Sequence, residues 1–434
     1  MVGMASPVNP PRGMRDFLPA DKARREHALG IIRGVYRSHG FDEIETPVVE
    51  DHGRLHSGLG GDNEKLSFSI LKRGITQDTL DGAAQAGDPE QLADLGLRFD
   101  LTVPLARFYA THRAELPPVF RAIQIAPVWR AERPQKGRFR QFVQADIDII
   151  GEASELAEIE LITATSQTLA ELGLEGCVIR VNDRRILFGL LAQIGLDAAH
   201  HDRALITIDK LDKIGVDGVV TELAETDAAA AESLRGVLEG VESALATGIP
   251  LTRDAIEQVL PGIAENDGVA NLAAVGAALK GSLPEGVEIH FDPTLVRGMG
   301  YYTGTIFEIA HPGSGSSVGG GGRYDGMIGR FLGQDVPAVG FSIGFERVVD
   351  LIEIGERGGA EARAIIADHD AELTDLMAIK TALIGEGLRV RIEKRQKNMK
   401  ALLARLEVEG FAQVANVRAG ERDAASLSWR ELGA

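Results

Sequence analysis

Cysteine is almost absent from this chain of 434 residues, since Cys177 is the only one. A single cysteine cannot form an intrachain disulfide or a cysteine-based zinc site, so both are excluded. The apolar neighbours Val178 and Ile179 indicate that its thiol is buried and inert. We therefore expect any metal ion to arrive with a substrate.

The chain also lacks long apolar runs. No uninterrupted apolar span reaches the ~18 residues that a transmembrane helix needs, and residues 1–11 do not resemble a signal peptide. We therefore expect a cytoplasmic protein without a membrane anchor. The content of 44% hydrophobic and 25% charged residues is typical of a globular protein. The net charge of -18 argues against nucleic-acid binding over the whole surface, though not against local basic patches.

The most informative segments are residues 295–308 (LVRGMGYYTGTIFE) and residues 319–326 (GGGGRYDG). The glycines lie between strand-like segments, so we interpret them as positions where bare backbone approaches a ligand closely. Arg297, Tyr301 and Tyr302 would hold a small polar ligand against this backbone. A glycine-rich surface loop is the alternative.

Residues 120–150 alternate apolar and polar side chains at both ends of a polar, basic middle that contains Pro134 and Gly137. This pattern predicts two antiparallel strands joined by a long functional loop.

The two strands are predicted to present polar side chains on one face of the sheet. Because the odd-numbered residues of the second strand are apolar, Gln144, Asp146 and Asp148 would share its other face. Arg130 and Gln124 share a face of the first strand. An arginine beside carboxylates could hold the two ends of an amino acid or a nucleotide phosphate. A solvated face of an amphipathic sheet is the alternative.

Residues 98–102 (RFDLT) form a shorter alternating segment. As a strand, this segment would place Arg98, Asp100 and Thr102 on one face and bury the two apolar residues between them. Asp100 and Thr102 would then form an acceptor pair suited to a protonated amine.

Residues 337–347 (PAVGFSIGFER) predict a strand that leads into a helix carrying Glu346 and Arg347 in its first turns. An arginine at such a junction can bind a phosphate with the help of the helix dipole. A salt bridge on the helix surface is the alternative.

Together these segments resemble the histidyl-tRNA synthetases, a family of class II aminoacyl-tRNA synthetases. The resemblance runs from Pro11 to the final residues, and residues 295–308 and 319–326 are similar to the two motifs peculiar to histidine-specific enzymes. Residues 41–47 (FDEIETP), which follow a basic helix at about 21–38, resemble motif 1 of the class, which builds the dimer interface in the family. Residues 120–151 resemble motif 2, and residues 337–347 resemble motif 3.

The resemblance implies an α/β (α+β) fold, in which the antiparallel-sheet catalytic core of class II synthetases carries a helical insertion and is followed by a small α/β anticodon-binding domain. The implied boundaries are residues 1–191 for the first part of the core with motifs 1 and 2, residues 192–283 for the insertion, residues 284–355 for the second part of the core with the histidine motifs and motif 3, and residues 364–434 for the anticodon-binding domain. A helical spacer is the alternative for the insertion, where His200 and His201 are expected to be an exposed pair at a helix end.

The carboxy-terminal pattern independently predicts a small α/β domain after a glycine- and charge-rich linker at residues 353–363. The predicted elements are a helix at 373–386, a strand at 388–392, a helix at 399–409 and a strand at 411–417. Between Arg389 and Arg405, seven basic residues accompany Glu393 as the single acidic residue, which predicts a phosphate-binding patch.

Position by position, the resemblance implies roles for eleven residues. Arg130 and Arg297, on opposite sides of the ATP α-phosphate, would be catalytic. Mg²⁺ would come with ATP as co-substrate, with no tightly bound cofactor and no metal ligand in the chain. Gly300 stands where many relatives have aspartate, so one contact beside Tyr301 is missing or supplied from elsewhere. The implied histidine-binding residues are Asp100, Thr102, Arg130, Gln144, Asp148, Arg297, Tyr301 and Tyr302, and the implied ATP-binding residues are Arg130, Glu132, Phe142 and Arg347.

The implied activity is the activation of L-histidine with ATP to histidyl-adenylate, followed by transfer to the 3′ end of tRNA(His), in a cytoplasmic homodimer. One alternative is the catalytically silent, histidine-binding regulatory subunit of ATP phosphoribosyltransferase, which typically lacks the catalytic arginine and the carboxy-terminal domain. Arg297, Arg347 and residues 364–434 argue against it. An RNA-binding or stress-sensing module of similar fold would have no need of both nucleotide-binding arginines and an amine pocket.

Overall fold

The computed structural model describes residues 8–56, 66–134, 137–297, 301–352 and 361–433. The chain divides into two units, Met1–Ile352 and Glu353–Ala434. No helix within the described ranges is both long and apolar enough to cross a membrane. Gly300 and its predicted missing contact lie outside the described residues, as do Gln135 and Lys136 of the motif 2 loop.

The first unit contains a three-stranded and an eight-stranded sheet. The small sheet has the order β2-β4-β3 and is antiparallel. The large sheet has the order β1-β5-β6-β11-β10-β9-β7-β8, and its pairings are antiparallel except for β1 with β5 and β7 with β8. The strands are β1 (Asp42–Glu43), β2 (Val49–Asp51), β3 (Phe68–Leu71), β4 (Ala93–Leu97), β5 (Phe120–Trp129), β6 (Gln141–Ile150), β7 (Cys177–Asp183), β8 (Val287–Phe291), β9 (Thr305–Ala310), β10 (Gly319–Arg323) and β11 (Ala338–Ile343).

The long segment between the parallel neighbours β7 and β8 is largely helical, as the resemblance implies. The helices of this unit are α1 (Pro19–Ser38), α2 (His52–His56), α3 (Gln77–Ala86), α4 (Thr102–His112), α5 (Leu156–Glu171), α6 (Arg184–Gln193), α7 (His201–Ile208), α8 (Leu211–Ala224), α9 (Ala228–Thr247), α10 (Arg253–Val259), α11 (Asp267–Leu279), α12 (Asp325–Leu332) and α13 (Phe345–Leu351).

The predicted pair of long strands is confirmed as β5 and β6, which pair along their full lengths. The odd-numbered residues Ala145, Ile147 and Ile149 are fully buried, and α5 packs against β6 and β11. Asp146 and Asp148 are also buried, with 6% and 4% of their surface exposed. The polar face of β6 is therefore not the solvated face of an amphipathic sheet.

The prediction of a strand at residues 98–102 is wrong. Strand β4 ends at Leu97 and helix α4 begins at Thr102. The side chain of Asp100 accepts a hydrogen bond from the Val103 amide at 3.2 Å, so this aspartate satisfies a free N–H group at the helix start. Arg98 points elsewhere, because its guanidinium donates to the carbonyl oxygen of Thr46 at 2.8 Å.

The glycine run is itself a strand, β10, rather than a connection between strands. Its residue Gly321 lies in register between Phe307 of β9 and Phe341 of β11. The rings of these two phenylalanines stack with their centroids 5.1 Å apart. A Cβ atom on Gly321 would overlap the backbone of β11, so packing between the strands requires glycine here.

The prediction of an exposed histidine pair is correct for His200 and wrong for His201. His200 is exposed at the end of a short 3-10 helix. His201 is half-buried, its ring stacks on Phe188 with the centroids 5.8 Å apart, and its Nε2 lies 3.0 Å from the carbonyl oxygen of Leu196.

The second unit has a four-stranded sheet of order β13-β12-β14-β15. All four predicted carboxy-terminal elements are present, while β12 and β15 were not predicted. The predicted linker is wrong at Ala362 and Arg363, which belong to β12, and residues 353–360 lie outside the described residues. Apolar residues of α14 and α15 fill separate cores with the sheet. The elements are β12 (Ala362–Ala367), α14 (Leu373–Gly385), β13 (Arg389–Lys394), α15 (Met399–Val408), β14 (Gln413–Val417) and β15 (Arg430–Glu431).

Candidate active site

A cavity of about 400 Å³ opens over β6, β11, β10 and β9. All eleven residues to which the sequence assigns a role line this cavity, although they come from five separate stretches of the chain. They are Asp100, Thr102, Arg130, Glu132, Phe142, Gln144, Asp148, Arg297, Tyr301, Tyr302 and Arg347.

One end of the cavity is rich in hydrogen-bond acceptors. Asp100, Gln144 and Asp146 each have one buried side-chain oxygen without a hydrogen-bond partner among the described residues. The side-chain amide of Gln144 already donates weakly to Asp146 and Ser342, each at 3.4 Å, so its free atom is the acceptor oxygen. Buried polar atoms without partners are unfavourable. This end of the cavity is therefore suited to a ligand that donates several hydrogen bonds.

Tyrosines enclose the same end. Tyr324 donates a hydrogen bond of 2.5 Å to Asp148. The Tyr301 ring lies 4.8 Å from the Tyr302 ring and 6.2 Å from the Tyr324 ring, measured between centroids. All three tyrosines are buried, so they form an apolar wall with one hydroxyl fixed on a carboxylate.

Burial changes the protonation of the acidic residues. It raises the pKa of Asp100 to about 6, against the opposing effects of the Val103 amide and Arg130. Burial also raises the pKa of Asp148 to about 7, although the hydrogen bond from Tyr324 opposes this shift. The pKa of Asp146 is raised well above its ordinary value by burial and then by the neighbouring Asp148. A cationic ligand would restore the ionised forms, because it favours negative charge nearby.

Four arginines also line the cavity, namely Arg130, Arg138, Arg297 and Arg347. Burial lowers the pKa of Arg347, and the positive charges of Arg138, Arg297 and Arg130 lower it further. Arg138, Arg297 and Arg130 are thus near enough to Arg347 to act on its charge, while Glu308 opposes their effect. Guanidinium groups bind phosphate well, so this part of the cavity is suited to phosphate groups.

Backbone and aromatic contacts hold two of these arginines in place. Arg130 donates to the carbonyl oxygen of Phe99 at 3.0 Å, and its guanidinium lies 5.1 Å from the centroid of the Phe142 ring. Arg347 donates to the carbonyl oxygen of Ser317. Each contact uses part of the guanidinium and leaves other N–H groups for a ligand.

Arg297 is held by a carboxylate. It lies 3.3 Å from Glu308, which also pairs with Arg180, and Arg180 in turn lies 3.2 Å from Asp292. Glu308 is the last residue of the segment 295–308, but the sequence pattern gave no reason to assign a role to it. The structure shows that it positions the arginine of that motif.

Glu346 forms no surface salt bridge, which was the alternative for the start of α13. It is buried and accepts two hydrogen bonds from Arg25, at 2.6 and 2.7 Å. It also pairs with Arg15 and accepts the Val143 amide at 3.1 Å. These contacts join α1 and β6 to the helix that carries Arg347. Partners more than 200 residues away in sequence leave no local pattern, so sequence reasoning missed this role.

The cavity floor is made of backbone. A Cβ atom on Gly340 would overlap the Asp148 carboxylate, and one on Gly320 would overlap the guanidinium of Arg297. Both positions therefore require glycine because of neighbouring side chains of the protein, and the close approach of this backbone to a ligand stays a prediction.

The family described as histidyl-tRNA synthetase matches residues 13–348. The chain belongs to this family. A histidine–tRNA ligase of Leifsonia xyli subsp. xyli (strain CTCB07) is 64% identical over 417 residues, which cover 96% of each chain. A histidine–tRNA ligase of Bacteroides fragilis is 36% identical, covering 96% of this chain and 93% of the relative.

Solved structures agree with the family assignment. The crystal structure of histidyl-tRNA synthetase from Nostoc sp. PCC 7120 is 26% identical and superposes with a TM-score of 0.76, covering 98% of this chain and 95% of that one. A structure described as an ATP phosphoribosyltransferase regulatory subunit/histidyl-tRNA synthetase from Bacillus halodurans C is 22% identical, with a TM-score of 0.72 and coverage of 95% and 97%. At that identity the second likeness shows the shared fold alone. The fold is therefore that of the class II synthetases, with a mixed α/β architecture around a large, mainly antiparallel sheet.

Proposed function

We propose that this chain is a histidine–tRNA ligase, which activates L-histidine with ATP and transfers it to the 3′ end of tRNA(His). One observation carries the proposal: buried, unpaired acceptors and four arginines line one cavity. An amino acid with a protonated amine and an imidazole matches the acceptors. A nucleoside triphosphate matches the arginines.

Histidine would bind with its ammonium group at Asp100 and Thr102 and its imidazole between Gln144 and Asp148. Tyr301 and Tyr302 would close the pocket over it. A site built to hydrogen-bond a polar group rejects analogues that lack the group by ~10⁴-fold or more. The cavity therefore provides selection for histidine without a separate hydrolytic site.

The first reaction joins the histidine carboxylate to the α-phosphorus of ATP. One carboxylate oxygen forms the new bond to phosphorus, the bond from phosphorus to the bridging oxygen breaks, and pyrophosphate leaves with its electron pair. The carboxylate is already a nucleophile, so no general base is needed. The main barrier is to bring anions together and to stabilise charge on the phosphate oxygens, which arginines do by position and charge.

The arginines divide this work. Arg130 and Arg297 would flank the α-phosphate, with Arg130 also contacting the histidine carboxylate, and Arg347 would bind the γ-phosphate end. Glu132 and Phe142 would contact the nucleotide. The stacking distance between Arg130 and Phe142 supports this assignment, because the ring can order both the guanidinium and a base.

ATP would enter with Mg²⁺ as part of the co-substrate. Carboxylate oxygens suit this ion, and Glu132 and Glu308 line the cavity together with Glu346. Each is engaged by arginine: Glu132 lies 3.1 Å from Arg138 and Glu308 lies 3.3 Å from Arg297. We therefore assign most of the ligands of Mg²⁺ to the phosphates themselves.

The second reaction would transfer the histidyl group to the terminal ribose of tRNA(His). We assign binding of the anticodon arm to residues 364–434 and contact with the acceptor arm to residues 192–283. We also propose that the enzyme is a cytoplasmic homodimer, with residues 41–47 at the interface. A regulatory subunit of ATP phosphoribosyltransferase is less well supported, because Arg297, Arg347 and the carboxy-terminal α/β unit are all present.

Histidine-dependent exchange of labelled pyrophosphate into ATP tests the proposal. We expect exchange with L-histidine and none above background without an amino acid or with glutamine, which is similar in size but lacks the imidazole. Charging of tRNA(His) should follow with the same amino-acid selectivity. Histidine binding without exchange would refute the ligase and favour the regulatory subunit.

A further inference from the structure

A cluster of metal-binding side chains lies in the small sheet, outside the cavity described above. It contains His52 and His56 of α2 and Glu90 of a short 3-10 helix, Pro89–Leu92. One ligand atom from each residue lies within 4.8 Å of the other two. Histidine nitrogen and carboxylate oxygen are the donors that zinc and its neighbours in the transition series accept.

The hydrogen bonds of His56 fix its tautomer. Its Nδ1 lies 2.8 Å from the carbonyl oxygen of His52, and a carbonyl can only accept, so Nδ1 carries the proton. In the neutral ring the lone pair is then on Nε2, which lies 3.1 Å from the hydroxyl of Ser67. Donation of one ring N–H to a backbone carbonyl is the arrangement that orients histidine ligands in metal sites. A bound ion would replace the Ser67 hydroxyl at Nε2.

His52 is held in a similar way. It is buried, its Nε2 lies 3.1 Å from the Ser69 hydroxyl, and its ring stacks on that of His56 with the centroids 4.0 Å apart. Each ring thus presents its Nε2 to a serine hydroxyl that a bound ion would displace.

Three carboxylates lie near the rings. Glu90, Asp51 and Asp88 each act electrostatically on His52. Asp51 accepts a hydrogen bond from the backbone amide of Arg54, and Asp88 accepts one from that of Glu90. Both carboxylates are thereby fixed beside the cluster, where they would attract a divalent cation.

We propose that His52, His56 and Glu90 bind one zinc ion or a similar divalent transition-metal ion, with water completing the coordination. The ion joins two segments that flank the small sheet, α2 directly after β2 and the 3-10 helix directly before β4. Strand β4 leads into the turn that carries Asp100. The role of the ion is structural, since none of its ligands lines the cavity that holds the arginines.

Zinc binding by the full-length chain, prepared without a histidine tag and stripped with a chelator, tests the proposal. We expect about one Zn²⁺ per chain by elemental analysis after dialysis, and a higher midpoint of thermal unfolding with Zn²⁺ than with Mg²⁺. Co²⁺ in place of zinc should give the visible absorption of a low-coordinate site. Affinity should fall in acid, because protons compete with the metal ion for the histidine nitrogens.

Three variants separate this site from surface binding. His56→Gln and Glu90→Gln should each weaken Zn²⁺ binding by about tenfold or more, since even partners of metal ligands contribute 10- to 100-fold. His27→Gln removes an exposed histidine of α1 and should leave binding unchanged. Glu90 is exposed, so its variant decides the question if His56→Gln fails to fold. Equal zinc content in the parent and Glu90→Gln, or no zinc retained by the parent, would overturn the proposal.

Discussion

The guanidinium group of Arg297 lies against the α-carbon of Gly320, in the space that any larger side chain would occupy. Gly320 is opposite Glu308 in the pairing of β10 with β9, and Glu308 lies 3.3 Å from Arg297. Gly320 leaves the space that the guanidinium occupies, and Glu308 supplies the negative charge that holds it there. The position of Arg297 thus depends on a residue with no side chain.

Replacing this glycine should impair catalysis without removing any catalytic group. In Gly320→Ala the added methyl overlaps Arg297 and the carbonyl of Phe307, and a misplacement of about 1 Å can cost ~10²-fold in rate. We expect single-turnover formation of histidyl-adenylate to slow by about that factor. Gly326→Ala in α12 is the matched control, because its methyl meets nothing within 4 Å. A folded Gly320→Ala protein with the parental rate would contradict the proposed geometry.

Removing the guanidinium should have a larger effect. We expect Arg297→Ala to stay folded and to bind histidine, but to form adenylate more slowly by on the order of 10² to 10⁴, as when a preorganised partner of transition-state charge is lost. Arg253→Ala, which removes an arginine from α10, should react normally. Rapid-quench measurement of a single turnover separates chemistry from tRNA charging, and near-normal adenylation would exclude a catalytic role for Arg297.

The acidic end should control histidine binding rather than ATP binding. Asp100→Ala and Asp148→Ala each leave a donor of the ligand unpaired, which costs about 1 to 3 kcal/mol or more. Calorimetry should show weaker histidine binding and nearly unchanged binding of ATP alone. Tyr324→Phe keeps the Asp148 carboxylate and removes only its hydrogen bond, so it should have a smaller effect. Equal losses for both substrates would indicate damage to the sheet.

Histidine affinity should also depend on pH. Burial raises the pKa of Asp100 to about 6 and that of Asp148 to about 7, both above the ordinary value of 3.8. In the proposed binding mode the ammonium group pairs with ionised Asp100 and the imidazole donates to ionised Asp148, so affinity should fall as the pH decreases from 8 to 5.5, and binding near pH 7 should release protons. Asp100→Asn should show a shallower dependence than the parent, which separates the pocket from titration of the ligand itself.

The same raised pKa values affect the stability of the unliganded protein. A carboxyl group whose pKa is higher in the folded than in the unfolded state stabilises the fold when it is protonated. This contribution is complete below the unfolded-state pKa of 3.8 and is lost as the pH rises through about 6 to 7. Histidine should therefore raise the thermal midpoint more at pH 8 than at pH 5.5. Thermal unfolding at both pH values, with and without histidine, measures this difference.

Removing the carboxy-terminal unit should separate the two reactions. Every residue assigned to activation lies at or before Arg347, so a chain ending at Ile352 should retain pyrophosphate exchange while needing more tRNA for aminoacylation. Mass measurement must accompany the kinetics, because this unit could also support dimerisation. A dimeric truncation that charges tRNA with unchanged efficiency would refute the anticodon-arm assignment.

Charge changes in the full-length chain test the same unit. Lys397 and Lys400 are exposed, whereas Arg395 lies 3.1 Å from Asp368 and Arg405 lies 3.0 Å from Glu393. We therefore expect replacement of the two lysines by glutamine to flatten the salt dependence of tRNA binding more than replacement of the two arginines, because fewer counterions are released. An unchanged slope in the lysine variant would exclude these side chains from phosphate contact.

The sequence predicted those parts of the fold in which one period is sustained over many residues. Helix α1 and the strands β5 and β6 have long, regular patterns, and the structure has them within a few residues of the predicted bounds. The alternating pattern at residues 98–102 is only five residues long. It is too short to outweigh the hydrogen bond by which Asp100 caps the start of the next helix. Strand β10 has almost no side chains from which a period could be read.

The candidate site was predictable where motifs supplied its residues and unpredictable where distant packing did. Tyr324 lies within the quoted run after the glycines, but nothing in the sequence shows that its hydroxyl reaches Asp148, 176 residues earlier. The same holds for Glu346 and Arg25, which are 321 residues apart. Such pairs are determined by tertiary packing, which depends on long-range contacts that local patterns do not contain.

The pairing of β6 with β11 also determines when the cavity can form during synthesis. Ile150 pairs with Ala338, so at 5–20 residues per second the ribosome needs roughly 10 to 40 s to make the partner strand after β6 has emerged. Through that interval β6 is an open edge, which is a risk for aggregation. Its inward-facing Asp146 and Asp148 are then hydrated and charged, and charges on an edge strand oppose association with other chains. The carboxylates that later receive histidine would thus also protect the unfinished sheet in the nascent chain.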